Sequence, residues 1–522
     1  MSGRSDRNHN VHHASRYSVV MTGEVDVMLH SQLLRSDGQE DLCLAVYQPS
    51  NGAERMTAIL ADVVSPLEGE TEVHGNVSFT GDYVLRAAAT AARCGGGVAI
   101  LHSHPFGSGW QRMRQHDKDA EASFANIVRE ITGLPLVGLT LAGSSDTWSA
   151  RFWSRGVGRK VAPEWCESVR VIGDRLAVSW NPDLRPPPST GANQVRTASC
   201  WGSRMQADIA RLRILVVGAG TLGMDVAVRL AATGVQTVGV LDFDSAQLIN
   251  LDRLIGATLL DVLLYRSKLE VTSRLLDQNA TALDFRPEFI EGSICEPSQL
   301  ARALDFDLIF CCVDDHPWPR SVINTIAYTD LIPVIDGGIH IDAFADGGGL
   351  RNATWRSHVL RPGRPCMACN GQIDLGKVNV DRAGLLDDES YIANLPHAEQ
   401  PQGQNVAVLA VGATASLLAQ FVSFVAAPAG MGEPGPLRYS LSTHWLEHVE
   451  ATARENCPVE KSVLAGDRRL LLVGGHVVAR QNILRRQQAA SHPLIKVARV
   501  IDDAFSLLRM FLTRAIAAFQ AD

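Results

Sequence analysis

Three glycines, Gly218, Gly220 and Gly223, stand directly behind the apolar run RILVV and ahead of the helix-like TLGMDVAVRLAATG. A strand that ends in such a turn and reverses into a helix belongs to a βαβ unit. Glycine lets the backbone approach a phosphate, and the helix N-terminus offers a positive pole. The alternation continues through TVGVLDFD, LLYRSKLEVTSRLLDQ and FDLIFCCVDD. That order predicts a mostly parallel, doubly wound sheet in the C-terminal half.

A chain of 522 residues has room for two to four domains. One boundary is plain. Asn181 to Gln194 is rich in Pro, Gly and Ser and has no hydrophobic period, so it reads as a linker, a semi-rigid spacer holding two folded units apart. Upstream, runs such as DLCLAVYQ, MTAILADVV, GVAILHSH, LVGLTLAG and SARFWSR alternate with helical stretches at Tyr83–Cys94 and Asp117–Thr132. They predict one α/β domain over residues 18–180, behind a disordered polar tail at 1–17. The doubly wound unit would occupy 195–462 and a helical extension 463–522. Within that extension, apolar spacing from Pro493 to Phe519 reads as a docked helix or as an amphipathic helix for a partner.

Composition excludes several classes. Hydrophobic residues at 46% and charged residues at 20% describe an ordinary globular protein. A net charge of −8 argues against a nucleic-acid binder. Ten cysteines are too sparse for a disulfide framework, and the polar N-terminus lacks an apolar targeting core, so a reducing, cytoplasmic setting is expected. The apolar stretch from Val406 to Ala427 lacks basic flanks and reads as a buried or dimer-interface helix rather than a membrane span.

In the N-terminal half, VAIL runs into His102-Ser103-His104-Pro105. Histidines at i and i+2 of an extended segment point to one side, where a single ion can take both imidazoles. Asp117 and Asp119 follow at a helix start, and Glu40 precedes an earlier strand. Two His, one Asp and an open position describe a catalytic zinc site, with a nearby Glu to relay the proton of an activated water. This set resembles the JAMM (JAB/MPN+) metalloprotease family, with its pattern E…HxHP…SxxD, over roughly residues 18–155. The resemblance implies His102, His104 and Asp117 as Zn2+ ligands and Glu40 as general acid/base, in an enzyme that cuts after the C-terminal glycine of ubiquitin-like proteins. Two departures stand out. His104 and Asp117 are thirteen residues apart, slightly more than usual, and Arg114 stands where the family has a Ser that helps bind the oxyanion, a role left to Arg114 or Ser108.

In the C-terminal half, Asp242 closes the strand after the glycines, where a carboxylate grips ribose hydroxyls. To this point a nicotinamide dehydrogenase fits equally well. Asp244, Asn250, Arg253, Lys268 and Asp314 tip the balance, because cations that grip phosphates and a carboxylate that holds Mg2+ are what ATP requires. These residues resemble the E1/ThiF/MoeB adenylyltransferase superfamily, with GxGxxG, DxDxVxxxNLxR, a downstream Lys and a DN…R motif, over about residues 195–460. The resemblance implies Asp242 on ribose, Asn250, Arg253 and Lys268 on the ATP phosphates and Asp314 on Mg2+. It also implies Arg196 as an arginine lent to a partner subunit's active site. Asp315 replaces the family's Asn, and Arg320 lies one residue farther on than usual.

Cys366-Met-Ala-Cys369 matches the first half of that family's zinc knuckle, but the second half reads Cys457-Pro-Val-Glu460. Three readings stay open: structural zinc on Cys366, Cys369, Cys457 and an oxygen ligand, a thioester-forming Cys366 or Cys369, or plain thiols. The whole resembles bacterial fusions of a JAMM peptidase with an E1-like enzyme. Its expected partners are a ubiquitin-like or sulfur-carrier protein, a conjugating enzyme of the E2 kind and a second copy of the chain. A scaffold that only binds ubiquitin-like proteins is the non-enzymatic alternative.

Overall fold

The computed structural model describes residues 15–74, 76–155, 161–314, 316–344, 348–394 and 405–521. Asp315 and nearly all of the expected polar tail lie outside them.

The N-terminal half comprises β1 (Arg16–Thr22), β2 (Leu42–Asn51), β3 (Arg55–Val64), a small hairpin of β4 (Thr71–His74) and β5 (Asn76–Phe79), β6 (Gly97–His104), β7 (Leu136–Ala142), β8 (Thr147–Arg155), β9 (Val161–Trp165), β10 (Ser168–Ile172) and β11 (Leu176–Trp180). All but the hairpin join one nine-stranded mixed sheet in the order β11-β10-β1-β3-β2-β6-β7-β8-β9. Apolar residues of β2 and β6, among them Leu44, Val46, Val98 and Ile100, pack under the helices Gly81–Arg93 and Gln115–Thr132. An α/β domain is therefore present where the sequence predicts one.

The C-terminal half is a second sheet of β12 (Arg213–Val217), β13 (Thr237–Asp242), β14 (Glu288–Glu291), β15 (Leu308–Cys311), β16 (Val334–Ala343), β17 (Leu350–Leu360), β18 (Leu437–Ser440) and β19 (Trp445–His448). The order is β14-β13-β12-β15-β16-β17-β18-β19. The first five in that order are parallel and the rest antiparallel. Strand order reverses at β12, so the crevice between β12 and β15 is the switch point where doubly wound sheets bind ligands. The helix Ala407–Ala426 is long and apolar enough to cross a membrane. Its face of Ala413, Leu417, Phe421 and Phe424 is buried in the core, whereas Val408 and Val411 are exposed.

Three organisational expectations need correction. The segment after Asn181 is not a free spacer. Asn181 is buried with its Nδ2 donating to Cys166 O at 3.0 Å, and the Arg185 guanidinium lies over the Trp180 ring and donates to Arg211 O. Its prolines stiffen a docked connector. Nor are the halves separate units. Val20, Ile59, Ile172 and Trp180 of the first sheet share one buried cluster with Ile209, Leu212 and Phe421 of the second half. Arg55 is buried and donates to Asp307 Oδ1 at 2.5 Å and to the carbonyls of Leu304 and Phe306. Burial alone would raise the Asp307 carboxyl, but Arg55 and Arg170 hold it below its ordinary value. Finally, apart from one 3-10 turn at Gly466–Arg468, the extension from 463 is helical only from Val477. Before that it is an extended strap, with Leu464 N–H on Tyr328 O, Asp467 holding Asn51 and Arg469 holding Asp330.

Candidate functional site

The first candidate site sits at the end of β6. His102 and His104 are both buried, and a ligand atom from each lies within 4.8 Å of a carboxylate oxygen of Asp117. The pairing follows from local structure: strand alternation sends both rings to one side, and Asp117 occupies the third position of the helix Gln115–Thr132, where it accepts from Arg114 N–H at 3.1 Å. Gln111 Oε1 lies 3.0 Å from His104 Nδ1, and Thr140 Oγ1 lies 3.3 Å from His102 Nε2. Bonds of this kind fix ring orientation and tautomer and leave the other nitrogen for an ion. Thr140 in turn accepts from Arg151 at 2.8 Å, and Arg151 pairs with buried Glu121. Burial, with Arg151 behind it, pushes His102 well below the ordinary imidazole value, so it is held neutral as a metal ligand requires.

Glu40 lies beside this cluster rather than in it. Its Oε1 is 3.3 Å from Arg114 Nη1. Arg114 thus spans the site, backbone on Asp117 and guanidinium on Glu40. Ser108 accepts from Gln111 Nε2 through its carbonyl. Asp119, the other acid considered, accepts from Gln115 Nε2 at 2.9 Å. The sequence does not announce Thr140 and Arg151, whose link to the histidines runs across strand pairs, nor Gln111, which reaches His104 from the irregular loop after β6.

The second candidate site is the crevice at the C-terminal ends of β12, β13 and β15. Gly218 has φ +96°, and a Cβ there would lie 2.5 Å from Cys312 O; a Cβ on Gly223 would lie 1.8 Å from Gly218 O. Those two glycines are needed by the fold. A Cβ on Gly220 would meet nothing within 4 Å, so packing does not require glycine there and the space beside it is open. Asp242 is buried and accepts from Ala219 N–H and Asp244 N–H, each at 2.7 Å, which ties the glycine turn to the end of β13. Burial raises its carboxyl against the pull of Lys268. Lys268 Nζ lies 2.9 Å from Asp244 Oδ2. Burial would lower this ammonium, but Asp242, Asp244 and Asp314 together raise it above its ordinary value. The fold thus brings Asp242, Asp244, Lys268 and Asp314 into one electrostatic group beside the open face of Gly220. That set fits a nucleotide triphosphate with a divalent cation: a cation for phosphate, carboxylates for ribose and metal, and a helix N-terminus behind them.

Asn250 and Arg253 lie on the turn that follows β13, and their side-chain bonds stay within that turn. Asn250 Oδ1 accepts from Gln247 N–H at 3.2 Å, and Arg253 Nη1 contacts Ile249 O and Asp252. Arg320, assigned to a motif by its position, is buried against Asp336 at 3.1 Å. Arg196 departs from the group. It is exposed on the helix Val195–Trp201, and neighbouring Gln194 reaches Thr281, beyond the C-terminus of the helix Lys268–Asn279. Its own crevice lies at the other end of the sheet.

A third cluster joins Cys366, Cys369, Cys457 and Glu460, with ligand atoms within 4.8 Å of one another. Cys366 Sγ and Cys457 Sγ are 3.5 Å apart, close to an edge of a tetrahedral zinc–thiolate site. Glu460 also accepts from Cys366 N–H at 2.9 Å. Burial pushes the Cys366 thiol up to about 12. Such a thiol is a poor nucleophile and becomes a thiolate when a cation offsets its burial.

Comparison with known proteins finds matches to part of this chain. Residues 192–457 match the ThiF family. The NEDD8-activating enzyme E1 catalytic subunit of Schizosaccharomyces pombe is 30% identical over 132 residues, 24% of this chain and 28% of that protein. Adenylyltransferase and sulfurtransferase UBA4 of Meyerozyma guilliermondii is 29% identical over 167 residues, 31% of this chain and 35% of that protein. The chain thus spans about a third of the length of these curated relatives. Among solved structures, E. coli MccB with MccA-N7isoASN aligns at a TM-score of 0.40 and 18% identity, covering 52% of this chain and 75% of that one.

Proposed function

This chain belongs to the ThiF family, and from that premise we propose that its C-terminal half adenylates the C-terminal carboxylate of a ubiquitin-like protein at the expense of ATP, in the cytoplasm. The observation that supports this most is Lys268 paired with Asp244 at 2.9 Å, next to Asp242, which ties the end of β13 to the glycine turn through Ala219 N–H. In the reaction a carboxylate oxygen of the carrier bonds to the α-phosphorus. The bond from that phosphorus to the bridging oxygen breaks, and pyrophosphate leaves with the electron pair. Asp242 orients the ribose, while Lys268 and Arg253 meet the charge of the phosphates. Asp314 would hold Mg2+, which neutralises phosphate charge when bound. The work of the chain is positioning and charge neutralisation. Arg196 would serve a second copy across a two-fold homodimer. A sulfur carrier is the second reading for the substrate, favoured by the match to an adenylyltransferase and sulfurtransferase.

For the N-terminal half the proposal is a JAMM-type zinc peptidase, in a fusion of the bacterial kind, that trims or removes the same carrier. His102, His104 and Asp117 would hold Zn2+, which when bound lowers the pKa of a water to about 7. Glu40 would take that water's proton, and Arg114, whose guanidinium lies 3.3 Å from Glu40, would meet a developing oxyanion. A second, structural zinc would sit on Cys366, Cys369, Cys457 and Glu460.

The test is carrier-dependent exchange of labelled pyrophosphate into ATP by the full chain, with ubiquitin-like and sulfur-carrier proteins ending in their mature glycine. Exchange with either supports adenylation, and the preferred carrier decides between the readings. Tight ATP binding with no exchange for any carrier would leave a binding scaffold. For the peptidase half, zinc content should fall from two per chain to one in His104→Ala.

A further inference from the structure

The family match ends at residue 457, yet the chain continues along the mouth of the nucleotide crevice. Trp318 Nε1 donates to Leu472 O at 2.5 Å and Gly474 N–H to Cys295 O at 2.9 Å. The buried His476 has its Nδ1 2.7 Å from Ser293 Oγ, and its ring packs against Phe243 at 5.4 Å and Trp318 at 5.0 Å between centroids. The helix Val477–Ala490 then crosses the strand ends. Arg480 Nε reaches Glu296 at 2.7 Å, Asn482 Nδ2 lies 3.4 Å from Asp244 Oδ1, and Arg486 pairs with Glu291. Phe243, Asp244, Glu291 and Ser293 all stand at or just beyond the C-terminal ends of β13 and β14. In a doubly wound sheet, that is the side of the crevice on which a bound nucleotide places its nucleoside.

The geometry points to residues 472–490 as a wall of the nucleotide pocket, with Asn482 as a positioning residue that acts through Asp244 on Lys268. This deepens the ATP reading and rests on it. Asp244 carries two side-chain partners, Lys268 at 2.9 Å on one oxygen and Asn482 on the other. An amide donor on the second oxygen fixes the carboxylate without competing for the ammonium. Lys268 is thereby aimed along the crevice, and helix 477–490 is held over it by Arg480 and Arg486. The strap is also fastened to the N-terminal half through Asp467 on Asn51. A part that merely ties the chain end down would need no contact with the Lys268 partner.

The experiment measures ATP binding by calorimetry and backbone hydrogen exchange of the full chain, with and without ATP. Asn482→Ala should weaken ATP roughly fivefold to tenfold, the loss of one charge-assisted hydrogen bond. Asn482→Asp, which sets a second carboxylate against Asp244, should weaken it further. Thermal midpoints of both variants should stay within error of the parent chain. In the parent chain, ATP should slow exchange across 477–490. If the parent chain binds no ATP, the nucleotide reading falls and this inference with it. If it binds ATP but both variants bind equally well and ATP leaves exchange at 477–490 untouched, the nucleotide reading stands and the wall is overturned.

Discussion

The two halves assemble their candidate sites by different means. The N-terminal cluster draws its three ligands from one strand end and the helix after it, all between residues 102 and 117. The C-terminal group gathers from the ends of β12, β13 and β15 and from the helix start at Lys268, spread over residues 218 to 314. The first depends on local geometry, so its ligands can meet wherever β6 and one helix form. The second exists only when a whole sheet has folded, which makes its composition more specific. The halves nevertheless form one body. β2 runs about 30 Å from Leu42, paired with His102, to Asn51 at the shared interface. Asp307 lies at that interface too, while Asp314 lies about 20 Å along at the other end of β15. Each site is thus at the end of its strands remote from the contact between halves.

The sharpest way to break this comparison is at the glycines. Gly220→Val should abolish ATP binding, at least about a hundredfold, because it fills the space left for phosphate. Its thermal midpoint should barely move. Gly223→Ala should instead destabilise the fold, since its Cβ would overlap Gly218 O. Equal effects of the two variants on stability would mean that Gly220 is there for packing.

Removing Arg55 tests whether the halves are one unit. Arg55→Ala strands Asp307 buried, with Arg170 at 3.7 Å as its remaining side-chain cation. The expected loss is about 3 kcal/mol of unfolding free energy. Scanning calorimetry should show one transition for the parent chain and a lower or split one for the variant. An unchanged midpoint would contradict a shared core.

The smallest effect concerns His316, 3.0 Å from Asp381, which also accepts from Trp318 N–H at 2.8 Å. The bond to Asp381 raises this imidazole from its ordinary value to about 9. A raised folded-state pKa stabilises below the unfolded value, near 6.5, and that contribution is lost as pH rises through about 9. The ring is over a third exposed, so less than about 1 kcal/mol is expected. His316→Asn should flatten the fall in stability between pH 7 and pH 10; an unchanged slope would show that the pair contributes nothing.

The sequence makes both sites visible because their motifs are carried by segments with strong local signals: a strand running into HSHP, and a strand running into the glycine turn. It conceals the union of the halves. Nothing local in the sequence marks Arg55 and Arg170 as buried, because the partners that satisfy Arg55, Asp307 and two carbonyls, lie some 250 residues away. β16 to β19 have antiparallel partners set by tertiary packing rather than by a βαβ pattern. The strap at 463–476 has no period at all, since it is held at scattered points by single backbone and side-chain bonds.

The most direct test of the account is carrier-dependent pyrophosphate exchange by two variants, His104→Ala and Asp314→Ala, with a carrier already ending in its mature glycine. The account predicts exchange near the parent rate in His104→Ala and none above background in Asp314→Ala, with both folded by circular dichroism. Loss of exchange in a folded His104→Ala, or substantial exchange in Asp314→Ala, would contradict it.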